Sequence, residues 1–278
     1  MSVVSGKAGA VNGKSTVRKW SISYTADTKT FVASSTKGGT GRLAGNEDWS
    51  GSYDGYGHTP GVMPGGALSF VGSIDGTKGV SGTAIVDQVV ITIDIEGGGI
   101  ISHTVSFSAN GALTEGAAAA TDATLPEAYT SIGCKAEVAD PAESPSYTAL
   151  PDVRTITITM TANNSSYVSS DTAGQTQRCA GNLDVTIAIS LYTNDPSTSP
   201  IPAVNAEQFL QCYVSATEYW EFCAVRFGEH SDIEVDVEGN AIVGLTLNAG
   251  MSGWYDLAGT ITEGTIIDPA ETTVWPAA

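Results

Sequence analysis

Residues 17–48, VRKWSISYTADTKTFVASSTKGGTGRLAGNED, recur without a gap as residues 153–184, VRTITITMTANNSSYVSSDTAGQTQRCAGNLD, displaced by 136 positions. Val17, Arg18, Thr25, Ala26, Val32, Ser34, Thr36, Gly38, Thr40, Arg42, Ala44, Gly45, Asn46 and Asp48 all reappear. Trp20, Ile22, Tyr24 and Phe31 meet Ile156, Ile158, Met160 and Tyr167. Average residue frequencies would give roughly two or three chance identities over such a stretch. Unrelated Thr-rich segments would not keep Arg-x-Ala-Gly-Asn-x-Asp in register, so the chain reads as two copies of one unit. A second block, IDIEGGGII at 93–101 against VDVEGNAIV at 235–243, aligns at a displacement of 142, so the second copy carries insertions between the blocks.

The repeated stretch alternates. Trp20, Ile22 and Tyr24, like Ile156, Ile158 and Met160, are separated by polar residues, the pattern of a half-buried strand. Trp49, Gly51 and Tyr53 match Val185, Ile187 and Ile189 as a further strand, and loops follow at 58–66 and 193–202. Two strands close each copy, with EGGG and EGN between them as hairpin turns. VNAEQFLQCY (204–213) spaces Val204, Phe209, Leu210 and Tyr213 at helix-like intervals after Asn205, which predicts a short helix. Its counterpart GGALSFVGS is a poor helix former and reads as a strand or irregular turn. The expected fold class is therefore all-β: two tandem homologous β-sandwich or barrel domains, each with at most one short helix. The boundaries are an N-terminal arm at 1–16, repeat 1 at 17–111, a connector at 112–152, repeat 2 at 153–253 and a C-terminal arm at 254–278. The connector, with its Ala runs and four prolines, is too long for a simple loop and reads as an extended arm.

Composition narrows the function. Of 278 residues only 15% are charged and 32 are Gly, yet 41% are hydrophobic, which fits packed sheet and not disorder. The net charge of −18 is concentrated in the connector and second half, and it opposes any phosphate grip on nucleic acid. No apolar run reaches spanning length and MSVVSGKAGAVNGKS has no apolar core, so a soluble protein without a signal peptide or membrane contact is expected. Cys134, Cys179, Cys212 and Cys223 lack metal-ligand spacing and are expected as reduced thiols, with one disulfide left open.

Few motifs carry chemistry. AGAVNGKS (8–15) has phosphate-loop spacing, but a strand pattern follows it where a helix would be needed, so a flexible arm is expected. Gly38–Gly45 is spaced wrongly for a dinucleotide fingerprint and reads as a turn. His58, His103 and His230 are scattered, and neither a nucleophile-elbow nor a zinc-protease motif occurs. Asp94 with Glu96, and Asp236 with Glu238, stand two apart and are expected on one solvated strand face; a calcium loop is not spelled out. Arg42 and Asp48 recur as Arg178 and Asp184, pairing either within each unit or across an interface. No catalytic residue, cofactor or metal is expected.

A cytoplasmic, acidic, Gly- and Thr-rich β unit duplicated in tandem and equipped with long arms resembles the tail tube proteins of long-tailed bacteriophages, two-domain type. The resemblance implies a non-enzymatic virion protein, made in the host cytoplasm, whose homotrimeric rings imitate a hexamer and stack into a tube. It further implies passage of DNA without adhesion, with tape-measure and tail-terminator proteins as candidate partners. On that reading Asp94, Glu96, Asp236 and Glu238 line the lumen, and the 58–66 and 193–202 loops with the connector make ring-to-ring contacts. The alternatives are another virion component, such as a decoration or tail-tip protein, and a carbohydrate-binding or adhesin module using Trp49, Tyr53, Tyr56 or Trp254 to stack on sugars.

Overall fold

The computed structural model describes residues 10–12, 16–58, 60–75, 78–117, 130–141, 145–193, 200–215, 218–234, 244–251, 266–267 and 274–275. Within them the chain is all-β, with two single 3₁₀ turns and no α-helix. The first half contributes β1 (Ala10–Val11), β2 (Val17–Phe31), β3 (Gly41–Tyr56), β4 (Ala67–Ser73), β5 (Lys78–Asp94) and β6 (Ser102–Ala117). The second contributes β7 (Ala136–Ala139), β8 (Thr148–Ala149), β9 (Val153–Ala162), β10 (Ser165–Tyr167), β11 (Gln177–Cys179), β12 (Leu183–Tyr192), β13 (Glu207–Tyr213), β14 (Tyr219–Glu234) and β15 (Gly244–Met251). β16 (Ile266–Ile267) and β17 (Val274–Trp275) follow. All but the β10–β11 hairpin join one antiparallel sheet whose main path runs β2-β3-β6-β5-β9-β12-β15-β14-β13-β7-β8.

Period-2 patterning builds this sheet. In β9, Ile156, Ile158 and Met160 are fully buried while Thr155, Thr157 and Thr159 face the open side; β12 buries Val185, Ile187, Ile189 and Leu191 in the same way. The registers of the two halves also correspond. Tyr24 faces Trp49, Ile22 faces Gly51 and Trp20 faces Tyr53; 136 residues on, Met160 faces Val185, Ile158 faces Ile187 and Ile156 faces Ile189. A register slip beside Val17 recurs beside Val153, and the slip between Val86 and Gln88 recurs between Phe227 and Glu229. Both halves have the same strand order, β2-β3-β6-β5-β4 and β9-β12-β15-β14-β13.

The first half is rolled. β4 and β2 are four neighbours apart in the strand order, which in a flat sheet is roughly 19 Å. Yet Trp20 Nε1 donates to the Ser73 carbonyl at 3.2 Å, and the Trp20 and Phe70 rings lie 5.9 Å apart. The sheet therefore curls over its own apolar face, enclosing Trp49, Phe70 and Phe107. The core continues into the second half as one cluster. The Ala-Gly-Asn repeat has a steric reason: a Cβ on Gly45 would lie 2.7 Å from the Asp27 carbonyl, and one on Gly181 only 1.6 Å from that of Asn163.

Several expectations change. The helix expected at 204–213 is the strand β13, buried because it pairs with β14 on one edge and β7 on the other. Asn205 lies in a turn with φ 68° and caps nothing helical. Its counterpart β4 is a strand, one of the two readings. The connector is not simply an arm: 112–117 extends β6, while Ala136, Val138 and Leu150 are buried against the second half. In the N-terminal arm, Ala10 and Val11 are buried in a strand along β4. Trp49 and Tyr53, 1% and 3% exposed, are core residues and cannot stack on a sugar.

Candidate functional site

The most informative place in the molecule is the junction where one half becomes the other. β5 is long enough to serve two partners, pairing with β4 through its first part and with β9 through residues 88–94. On the core side Val89 faces Met160, Ile91 faces Ile158 and Ile93 faces Ile156, all with no exposed surface. Each such aliphatic side chain contributes about 1.5–3 kcal/mol on burial, so this apolar ladder is the junction's main source of stability.

Two polar clasps flank the ladder. At one, Arg178 Nη1 and Nη2 donate to Asp48 Oδ1 and Oδ2 at 3.0 and 2.8 Å, a two-pronged ion pair. Nη1 also donates to the Ala109 carbonyl at 2.6 Å, and the Arg178 amide to Asn110 Oδ1 at 2.9 Å. The loop before Arg178 lies on β3 and β6. Glu47 N–H donates to the Gly174 carbonyl at 2.8 Å, Thr176 N–H to the Glu47 carbonyl at 3.1 Å, and Gly111 N–H to the Thr176 carbonyl at 3.0 Å. Gln175 Nε2 donates to Glu47 Oε2 at 2.6 Å; a hydrogen bond from Tyr24, and then this one, hold the Glu47 carboxyl below its usual range.

At the other clasp, Arg154 donates to Glu96 at 2.8–2.9 Å and stacks over the Tyr192 ring at 4.4 Å. Tyr192 Oη donates to Glu96 Oε1 at 2.6 Å. These two partners, the tyrosine first, pull the Glu96 carboxyl below the ordinary carboxylate range. The Ile95 and Glu96 amides both donate to the Arg154 carbonyl.

The expected site residues are thus sorted. Arg178 and Asp48 meet across the two halves. Arg42 and Asp184 are exposed and have no ion-pair partner among the described residues. Asp94 and Glu96 do not share a strand face, because β5 ends at Asp94. Asp94 accepts from the Gly97 amide at 2.9 Å and shapes the turn, while Glu96 belongs to the clasp. Asp236 and Glu238 lie outside the described residues, as does Trp254.

Arg154 and Tyr192 were not singled out in the sequence, yet a signal was present: they stand 136 residues after Arg18 and Tyr56. Arg18 already stacks over Tyr56 at 5.0 Å. The open face of the sheet is dominated by hydroxyls, among them Ser21, Ser52, Ser106, Thr159, Thr186 and Thr246, with the hydrogen bond from Gln88 Nε2 to Thr161 Oγ1 crossing the junction at 3.3 Å. His103 and His230 contact the Gly57 and Pro202 carbonyls, and His58 lies 3.8 Å from Glu218. Among the described residues no three His, Cys, Asp or Glu side chains gather as a metal site. Comparison with protein-family models and with curated proteins finds no match.

Proposed function

We propose that this protein is a self-assembling structural protein, a tail tube subunit of the long-tailed phage type. In that reading two copies of one unit are fused so that three chains form a ring of six units, and stacked rings conduct DNA. The observation that carries it is a pair of unused strand edges, one in each half of the sheet. β2 is the terminal strand of the path, and residues 229–234 of β14 are paired by β15 on one side only among the described residues. These edges are the ones that β9 and β5 use to join the halves. A chain that joins its own units edge to edge and leaves the same two edges open is built for head-to-tail assembly, which closes into rings when the rotation allows.

The hydroxyl-rich open face suits a lumen, since it presents few cations for phosphate to adhere to. Asp94, at the end of that face, keeps the proposed luminal role; Glu96 is assigned to the junction. Electron microscopy of negatively stained protein, with native mass, tests the reading. Stacked rings of three chains are expected, and a monomer that stays monomeric when concentrated overturns it.

A further inference from the structure

The intrachain junction has counterparts elsewhere in the chain. Residues 169–177, which carry the docked loop, have a counterpart at 33–41 that touches no such partner surface among the described residues. The two loops nevertheless share one conformation. Ser34–Thr36 and Ser170–Thr172 form equivalent 3₁₀ turns, closed by the Thr36 and Thr172 hydroxyls accepting from the Ala33 and Ser169 amides at 3.1 and 3.2 Å. Lys37 and Ala173 both adopt φ 49°, followed by Gly38 at 83° and Gly174 at 84°. A left-handed non-glycine residue before a left-handed glycine is an uncommon local geometry, and here it is present with and without a docking surface. The free loop is already shaped as the docked one, so ordering it on contact costs little.

The receiving surface also has a counterpart. Asp48 on β3, which accepts Arg178, corresponds to Asp184 on β12, at the same register position: Thr25 faces Asp48 and Thr161 faces Asp184. The charges are therefore segregated. The free side of the first half presents Arg42 and the stacked Arg18, and the free side of the second presents Asp184. Trp20 and Ile22 on β2 are only partly buried, and Tyr24, at the place that Met160 fills at the junction, is 50% exposed.

We infer that a second copy of this chain docks there: the 33–41 loop of one copy lies on β12 of the next, and Arg42 makes with Asp184 the two-pronged pair that Arg178 makes with Asp48. Thr40, the counterpart of Thr176, then bonds the Leu183 backbone, and β2 pairs along residues 229–234 of β14. This deepens the ring reading and rests on it only for closure; the contact itself requires just two copies.

The test is charge exchange. R42D and D184R each turn the pair repulsive and should raise the protein concentration needed for assembly at least tenfold, while the R42D/D184R double variant should return it to within about threefold of the parent. Both side chains are exposed, so near-UV circular dichroism of the dilute variants should match the parent. Single variants that assemble at the parental concentration, or a double variant that fails to recover, overturn the inference even if parental rings form. A second measurement separates the contact from the ring. In a C179S background, T40C and N182C chains, which keep Arg42 and Asp184, are mixed and treated with a short bismaleimide. Covalent pairs that need both cysteines uphold the contact, whether or not closed rings are seen; their absence overturns it.

Discussion

With 13% of its side chain exposed, Arg178 has lost most of its hydration and depends on Asp48 and the Ala109 carbonyl to replace it. Arg42 occupies the same place in the other copy of the sequence but keeps its water. Substitution should separate them: R178A is expected to lower the unfolding free energy by about 2–4 kcal/mol, because it strands Asp48 and opens the clasp. R42A should change dilute protein by less than about 0.5 kcal/mol. Urea unfolding of both variants measures the difference, and equal effects would contradict the assignment. Glu96 gives a pH prediction. Its folded pKa is depressed, so its contribution is present above the unfolded value of about 4.3 and is lost as pH falls through the folded one. E96Q should therefore melt below the parent at pH 7, and the gap should close toward pH 3. A gap that persists in acid would mean that the Arg154 and Tyr192 contacts do not depend on the carboxylate.

Among the elements, β2 and β9 make the sharpest comparison, since the same alternation is half-exposed in one and buried in the other. Amide hydrogen exchange should find β9 protected in every state. The outward amides of β2 should exchange quickly in dilute protein and slow by at least tenfold on assembly; unchanged β2 exchange in assembled material would place the contact elsewhere. The same comparison explains what could be read from sequence. Strands β2, β3, β9 and β12 were legible because alternation and repetition say the same thing twice. β13 reads as a helix in the sequence because Phe209, Leu210 and Cys212 suit a buried strand and a helix face equally, and the pairing with β7 and β14 that decides the matter comes from distant residues. The Arg178–Asp48 clasp was half legible: the pair was visible, but its crossing between halves depends on β5 extending far enough to reach β9. Glu96 reads as part of a strand face because period 2 continues through the turn in the sequence but not in the backbone.

For the whole molecule, the continuous core and shared sheet predict one cooperative unfolding transition, not two, with I158A lowering its midpoint as a single event by about 2–5 kcal/mol of stability. Two calorimetric transitions would show that the halves fold independently despite their joined strands. The proposed closure into a tube carries a further prediction about which face turns inward. If the hydroxyl face lines the channel, a thiol at Thr159 is reachable in single chains and enclosed in stacked rings. T159C in a C179S background should react before assembly both with a small maleimide and with a maleimide carried on a folded protein wider than a DNA duplex. Within tubes it should react only with the small reagent, because a lumen sized for DNA excludes the folded carrier. Equal labelling by both reagents in assembled tubes would put the hydroxyl face on the outside and would overturn its proposed luminal role.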